Sequence, residues 1–352
     1  MASNVALIAG VTGVVGGALA QRLAGSGEWT VIGISRRPPR LAVRGVSYLQ
    51  AELGDLAACA RALRTCSPVT HLFYCARFTH TEQTVESASD NLRLFESALT
   101  AAEQASSELR HVHLVQGGKY YGVHIGPFPT PARESQERCV VSNFYYDQQD
   151  LLERRAAAAG WSWSASRPNT ILHFSPRVGR NIVSTLGAYA AICRHLGAAM
   201  DFPGPSGAYA SLNQVTTIEV LARTMARVAS EPSCASQAFN VTNTDVFRWS
   251  SIWTRLTDAF GTVPGAVRPM RLADVMADKA AAWDEICVRC DLERTHLREV
   301  ANWPFADATL ERRWDEILCH NKSRAFGLDG WDDSEARFVE LLGKYRSARI
   351  LP

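Results

Sequence analysis

The chain has 352 residues, 47% hydrophobic and 20% charged, with 37 Lys and Arg against 35 Asp and Glu for a formal net charge of +2. Those fractions exclude a disordered or collagen-like chain, and the balanced charge gives no electrostatic case for nucleic acid or an anionic membrane surface. No apolar run approaches the about 20 residues of a membrane span, and the N-terminus enters a strand-like run with no basic leader, so a cytoplasmic protein is expected.

In chain order, Val5 to Ala9 is a short apolar run ending at Gly10, which reads as a buried parallel strand. Residues 14–24 are helical in composition. Strands follow at 31–35 and 46–53, a helix at 56–63, a strand at 70–75, a long amphipathic helix at 85–105 and a strand at 111–115. A loop rich in Gly and Pro (117–133) leads to a helix at 144–159 and a strand at 161–166 that runs into Arg167-Pro168-Asn169. This repeated β-α order predicts an α/β doubly wound parallel sheet. Beyond it, helices are predicted at 184–196, 216–229, 249–260, 272–290, 309–319 and 333–346, with one strand-like run at 238–241. The expected organisation is a Rossmann domain over 1–175, completed by segments around 210–245. A mostly helical substrate lobe over 176–352, not independently folding, covers the carboxyl edge of the sheet, where ligands bind in open α/β folds. The nine cysteines follow no disulfide framework and are expected to be reduced thiols. Cys287 and Cys290 have metal-like spacing but lie in a helix-like stretch with no second such pair, so no metal site is expected.

Gly10-Val-Thr-Gly13-Val-Val-Gly16 lies where the first strand meets the first helix. Glycines there permit a tight turn, and the helix N-terminus offers free N–H groups and a positive dipole end to a pyrophosphate. Thr12, Val14 and Val15 fall inside the same turn. The second strand ends in Ser35-Arg36-Arg37, with no carboxylate to hold a ribose 2′-hydroxyl. Two guanidinium groups and a hydroxyl suit a 2′-phosphate, because Arg pairs with phosphate through parallel charge-assisted bonds. The expected cofactor is NADPH/NADP+.

Short-chain reductases of the ordinary kind place Tyr and Lys four residues apart on one helix face, the Lys lowering the Tyr pKa so that it protonates a carbonyl oxygen. No tyrosine here has a lysine four residues on. The helix that would carry the motif reads Asn143-Phe144-Tyr145-Tyr146, so Tyr145 faces Gln149. The usual upstream Ser is replaced in Gln116-Gly117-Gly118-Lys119, where a lysine has entered the loop.

These segments resemble a known family. The Gly117–Gly122 run with Lys119, the Asn143–Tyr146 block, the Trp163–Ile171 segment and Asp245-Val-Phe-Arg-Trp249 are similar to the progesterone 5β-reductase/iridoid synthase-like branch of the extended short-chain dehydrogenases/reductases. The resemblance covers nearly the whole chain. It implies NADPH-dependent reduction of C=C bonds conjugated to a carbonyl, with Tyr145 and Lys119 as the active pair. Hydride delivered to the β-carbon leaves an enolate oxygen, which a Tyr hydroxyl and a nearby cation would stabilise. Glu52 and Leu53 stand where the family commonly has an Asp near the adenine. Ala76 after the fourth strand, and Pro168, Asn169 and Ile171 after the sixth, complete the expected cofactor contacts, with Arg167 expected to approach the nicotinamide. Plant members carry a Trp near the substrate where this chain has Arg77, with Phe78 beside it. Arg77, Phe78, Phe128 and Tyr146 are the expected substrate contacts, and Asn91 matches a helix Asn that supports the active-site backbone.

The implied partner is a small enone, enal or related carbonyl compound, with no nucleic acid or membrane, and a homodimer is the oligomer to test. Two other readings stand beside this one. A 1,2-reduction of a ketone or aldehyde is supported by the wider superfamily, and a non-catalytic NADPH-binding sensor would keep the Gly-rich turn without an active tyrosine.

Overall fold

A computed structural model describes residues 4–66, 68–78, 86–176, 178–328 and 330–352. The chain builds six parallel strands, β1 (Asn4–Ala9), β2 (Trp29–Ser35), β3 (Val46–Gln50), β4 (His71–Tyr74), β5 (His111–Val115) and β6 (Ser162–Pro168), and a later strand, Gln237–Val241, joins them. The order across the sheet is Gln237–Val241, β6, β5, β4, β1, β2, β3, and every pairing is parallel. The connections are α1 (Val14–Ser26), α2 (Leu56–Leu63), α3 (Ala88–Ala105) and α4 (Phe144–Ala159). Strand order reverses between β1 and β4, which opens a crevice at the carboxyl ends.

Local chemistry fixes these elements. β1 is buried from Val5 to Ala9, as a strand covered on both faces must be. In α3, Leu94, Phe95, Ala98, Leu99 and Ala102 form the buried stripe, and the Ser87 hydroxyl caps its start by accepting from the Asp90 N–H. The Asp55 carboxylate caps α2 in the same way, accepting from Ala58.

Several boundaries differ from the sequence pattern. β3 stops at Gln50, where the chain turns through Glu52 and Asp55 into α2. α3 begins at Ala88, and the expected start at 85 lies outside the described residues. β6 continues through Arg167 and Pro168 because Asn240 and Val241 of the last strand pair with them.

The second lobe packs around α5 (Ile182–His195), buried at every position from Ile182 to Cys193. Trp253, Phe260, Trp283 and Tyr345 share its core. The stretch expected as one helix at 272–290 is broken into Leu272–Val275 and Ala280–Arg289. No helix spans 311–319. The helix there is Trp303–Leu310, started by the Asn302 cap and Pro304 in its first turn. The segment after it is extended and bridges Glu316 to Asn213 and Leu318 to Ala132. Among the described residues no helix is long and apolar enough to cross a membrane, and no group of His, Cys, Asp and Glu could hold a metal ion. All nine cysteines are free thiols.

A file of buried imidazoles crosses the sheet. His71 bonds Thr70 Oγ1 at 2.8 Å, His111 bonds Ser162 and Ser164 hydroxyls at 2.7 Å each, and His113 bonds Ser164 at 2.8 Å. Burial pushes His71 down to about 4 and His111 and His113 to about 3, each from an ordinary value of 6.5. All three are neutral in the folded chain at pH 7, whereas the unfolded chain takes up protons on them below about 6.5. Their contribution is therefore fully present above that pH and is lost progressively as pH falls toward 4 and then 3. The unfolding free energy read from urea titrations is expected to fall steeply between pH 6.5 and 4, by roughly 3 kcal/mol from His71 alone. A His71→Asn, His111→Gln variant should show a flatter pH profile, and an unchanged slope would remove the imidazoles as its cause.

Candidate active site

The carboxyl ends of β1 to β4 enclose a cleft of about 540 Å³. Gly10, at φ +85°, starts its floor, and a Cβ there would meet the Ala76 backbone at 2.9 Å. Gly16 lets α1 close onto β1, since a Cβ would lie 2.4 Å from the Gly10 carbonyl oxygen. α1 follows Gly13 with no side-chain cap and no acidic residue in its first turn. Its first amides are thus left to an outside acceptor, a helix N-terminus suited to an anion. The backbone cradle, the uncapped helix and the size of the cleft fit a dinucleotide pyrophosphate.

Thr12, Gly13, Ser35, Arg36, Glu52, Leu53, Ala76, Arg77 and Phe78 border this cleft with Gly10. Val14 and Val15 instead pack beneath the turn against the core. Arg36 lies 3.7 Å from Glu52, both exposed. Arg37 is exposed outside the lining, and its carbonyl accepts from the Ser35 hydroxyl at 2.7 Å. Sequence reasoning missed Arg93, which lines the cleft and donates to the Gly54 carbonyl at 3.1 Å. On the pattern of α3 alone Arg93 is indistinguishable from any surface cation.

The carboxyl ends of β5 and β6 bring a second group together. Lys119 sits on a single 3₁₀ turn, Gly118–Tyr121, after β5, and Tyr145 opens α4. Asn143 ties them to each other. Its Oδ1 accepts from the Tyr145 N–H at 3.1 Å, and its Nδ2 donates to the Lys119 carbonyl at 2.8 Å. The Tyr145 hydroxyl lies 3.2 Å from where a Cβ of Gly117 would stand, so the glycine in the usual serine position leaves room for the phenol. The Pro168 carbonyl borders Gly117, and the Asn169 side chain borders Gly118. Burial pushes the Tyr145 phenol up, opposed by the positive charges of Arg77 and Arg180.

Gln149, four residues after Tyr145, accepts from Gln116 and Arg167 at 3.1 Å each and donates to Glu153 at 2.8 Å. Lys119 Nζ donates to Glu86 Oε2 at 3.0 Å, and Arg77 pairs with the other oxygen of that carboxylate. Burial first, then the charges of Arg77, Arg180 and Arg312, push Lys119 down to about 8. Sequence reasoning did not find Glu86. Asn91 is buried, accepts from the Phe78 N–H at 2.9 Å and donates to Ser87 at 2.8 Å, which fixes the backbone after β4.

Other expectations change. Arg167 is buried rather than turned toward a ligand, bonding Gln116 at 2.8 Å and Tyr121 at 3.0 Å and stacking 3.4 Å from the Tyr120 ring centre. The Tyr146 hydroxyl donates to the Tyr120 carbonyl at 2.6 Å and accepts from the Cys139 N–H at 2.9 Å, so this side chain is committed to internal packing. Phe128 is partly buried against the same aromatic cluster, as is Tyr145. Ile171 lies on a short strand, Thr170–Leu172, paired with Val215–Thr217.

Residues 36–352 match the family of PRISE-like Rossmann-fold domains. An (S)-8-oxocitronellyl enol synthase of Nepeta racemosa is 35% identical, the match covering 99% of this chain and 91% of that one. A 3-oxo-Delta(4,5)-steroid 5-beta-reductase of Arabidopsis thaliana is 34% identical over 99% of this chain and 93% of its own. A short chain dehydrogenase of Penicillium aethiopicum is 31% identical over 99% of both chains. Among solved structures, a Thermus thermophilus UDP-glucose 4-epimerase in complex with NAD superposes with a TM-score of 0.67, covering 98% of this chain and 99% of that one at 15% identity, a likeness of fold.

Proposed function

Because this chain belongs to the PRISE-like Rossmann-fold family, we propose that it is an NADPH-dependent reductase of C=C bonds conjugated to a carbonyl, acting on small enones and enals. The observation that carries the reading is the environment of Tyr145. Its phenol is pushed up by burial, and the position four residues on is a glutamine already bonded to Gln116, Arg167 and Glu153. A neutral hydroxyl without a helix-borne ammonium is a hydrogen-bond donor and a poor proton source. That suits an enolate, whose charge is spread over oxygen and carbon, better than the strongly basic alkoxide of a 1,2-reduction. The Arabidopsis relative's name describes reduction at a double bond conjugated to a 3-oxo group.

Bound NADPH supplies a hydride. The amides at the start of α1 hold its pyrophosphate, with Gly10, Thr12, Gly13 and Gly16 shaping the turn. Ser35, Arg36 and Arg37 take the 2′-phosphate, Glu52 and Leu53 flank the adenosine, and Ala76, Pro168, Asn169 and Ile171 border the nicotinamide side. Tyr145 donates to the carbonyl oxygen of the substrate, and Lys119 adds a positive charge as that oxygen becomes negative. Arg77, Phe78 and Phe128 face the substrate. The direct test is NADPH oxidation with 2-cyclohexen-1-one and with cyclohexanone: consumption is expected with the conjugated ketone alone. Equal or greater consumption with cyclohexanone overturns the reading.

Cofactor choice follows from the basic end of β2. Arg36→Ala is expected to weaken NADPH binding by about 1.5–3 kcal/mol, roughly 10- to 150-fold, with little effect on NADH. Because Glu52 lies 3.7 Å from Arg36 it competes with a 2′-phosphate, so Glu52→Gln should tighten NADPH. Nucleotide-fluorescence titration measures both, and unchanged NADPH affinity in Arg36→Ala and in Arg37→Ala would remove the 2′-phosphate assignment.

A further inference from the structure

Arg77 has a setting that reduction of a neutral enone does not require. It borders the dinucleotide cleft after β4, is about two-thirds covered, and lies over the ring of Phe144, the residue before Tyr145, at 5.9 Å. Taking a guanidinium out of water is costly unless a carboxylate meets it. Here Glu86 does so, and the same carboxylate also takes Lys119 at 3.0 Å. Arg77 at the cleft and Lys119 after β5 thus share one carboxylate. Arg180, stacked 4.8 Å from the centre of the Phe305 ring, acts electrostatically on Arg77, Tyr145 and Lys119, and Arg312, itself paired with Glu316 at 2.7 Å, acts on Lys119. A site for a wholly apolar substrate would be better served by an aromatic side chain in place of Arg77, which would need no counter-ion.

We propose that the substrate is an enone or enal that also carries a carboxylate, that Arg77 receives this carboxylate, and that Glu86 holds the position until the substrate arrives. The fork of a guanidinium matches a carboxylate through two parallel bonds. Exchange of one carboxylate for another conserves the charge beside Arg77 and frees Lys119 from Glu86 to face the carbonyl oxygen. The carbonyl half of this inference rests on the reductase reading above. The anionic half rests on Arg77 and Glu86.

The test compares ω-carboxy enals with their methyl esters, for example 6-oxohex-4-enoate and longer homologues, as the ratio of kcat/KM for acid over ester. In the parent chain the ratio for the best length is expected to be about tenfold or more. Arg77→Gln should bring it toward one, Arg77→Lys should restore part of it, and Glu86→Gln, which removes the internal competitor, should raise it. A purely structural role for the Arg77–Glu86 pair would impair acid and ester alike in both variants. A ratio at or below one in the parent chain, one that Arg77→Gln leaves alone, or one that Glu86→Gln lowers overturns the proposal. If neither acid nor ester is reduced, the reductase reading fails, and the anionic half is read from calorimetric binding of 6-oxohexanoate and its methyl ester to the NADP+-loaded protein. Tighter binding of the acid, weakened in Arg77→Gln, supports it, and equal or absent binding overturns it.

Discussion

Tyr145→Phe is expected to lower kcat by about 10²–10³-fold on every conjugated substrate, because it removes the hydroxyl proposed to donate to the developing oxyanion. The substitution leaves the rest of the site standing. The ring keeps its packing against Phe144 at 4.3 Å and its place beside the Tyr120 and Tyr146 cluster. The backbone N–H of residue 145 still donates to Asn143, which still grips the Lys119 carbonyl. KM should therefore move much less than kcat, the signature of an interaction made mainly in the transition state. Lys119→Met should cost less on a strongly activated enal than on a poorly activated enone, since the ammonium acts as a nearby charge and the enal needs less help. Steady-state kinetics on both substrate types, with circular dichroism as a check on folding, measures these effects. Undiminished turnover by Tyr145→Phe would move the donor role elsewhere, and not to Tyr146, whose hydroxyl is bonded to the Tyr120 carbonyl.

Gly16→Ala is expected to weaken NADPH binding by more than tenfold and to cost about 1–3 kcal/mol of stability. The added methyl would fall 2.4 Å from the Gly10 oxygen and 2.9 Å from the Val11 Cα, both backbone atoms of the turn. Relief requires α1 to move off β1, and the amides proposed to hold the pyrophosphate move with it. Gly25, in the same helix, supplies the control, because a Cβ there meets nothing within 4 Å. Gly25→Ala should be neutral or slightly stabilising by helix propensity. Equal effects of the two substitutions on cofactor affinity would show that crowding at the turn is not the cause. Fluorescence titration of NADPH and urea unfolding report on the two quantities separately.

The sheet was legible because buried parallel strands are short apolar runs, with glycines just past the carboxyl ends of β1 and β5. The bounds of α4 were equally plain, as Asn143 caps one end and Gly160 closes the other in the left-handed conformation. Tyr145 and Lys119 lie 26 positions apart in the chain, yet they stand at one edge because β5 and β6 are neighbours in the sheet. Glu86 was invisible because Lys119 comes from a different loop and Arg77 stands nine positions earlier in the connection between β4 and α3, and no spacing in one sequence encodes that meeting. Arg167 was misplaced for a related reason. The local Arg-Pro signal suggests a strand end, whereas pairing with Asn240 draws the residue into the sheet. The helix expected at 309–319 failed where apolar periodicity outweighed a better local signal, the Asn302-Trp303-Pro304 start that sets the helix six residues earlier.

The two reductions differ in where the hydride lands. In a 1,2-reduction the oxygen becomes an alkoxide and must be fully protonated, which is the task of a tyrosine acidified by a neighbouring lysine on its helix. In a 1,4-reduction the charge spreads into an enolate, and a hydrogen bond from a neutral tyrosine suffices. This chain has Gln149 in the lysine position, Gly117 in the serine position, and a Tyr145 phenol pushed up by burial. The most direct measurement is product analysis by NMR after turnover of conjugated enals and enones with NADPH deuterated at the transferred position. Deuterium is expected on the β-carbon with the carbonyl intact, whereas deuterium on the carbonyl carbon, with an allylic alcohol as the main product, would contradict 1,4-reduction.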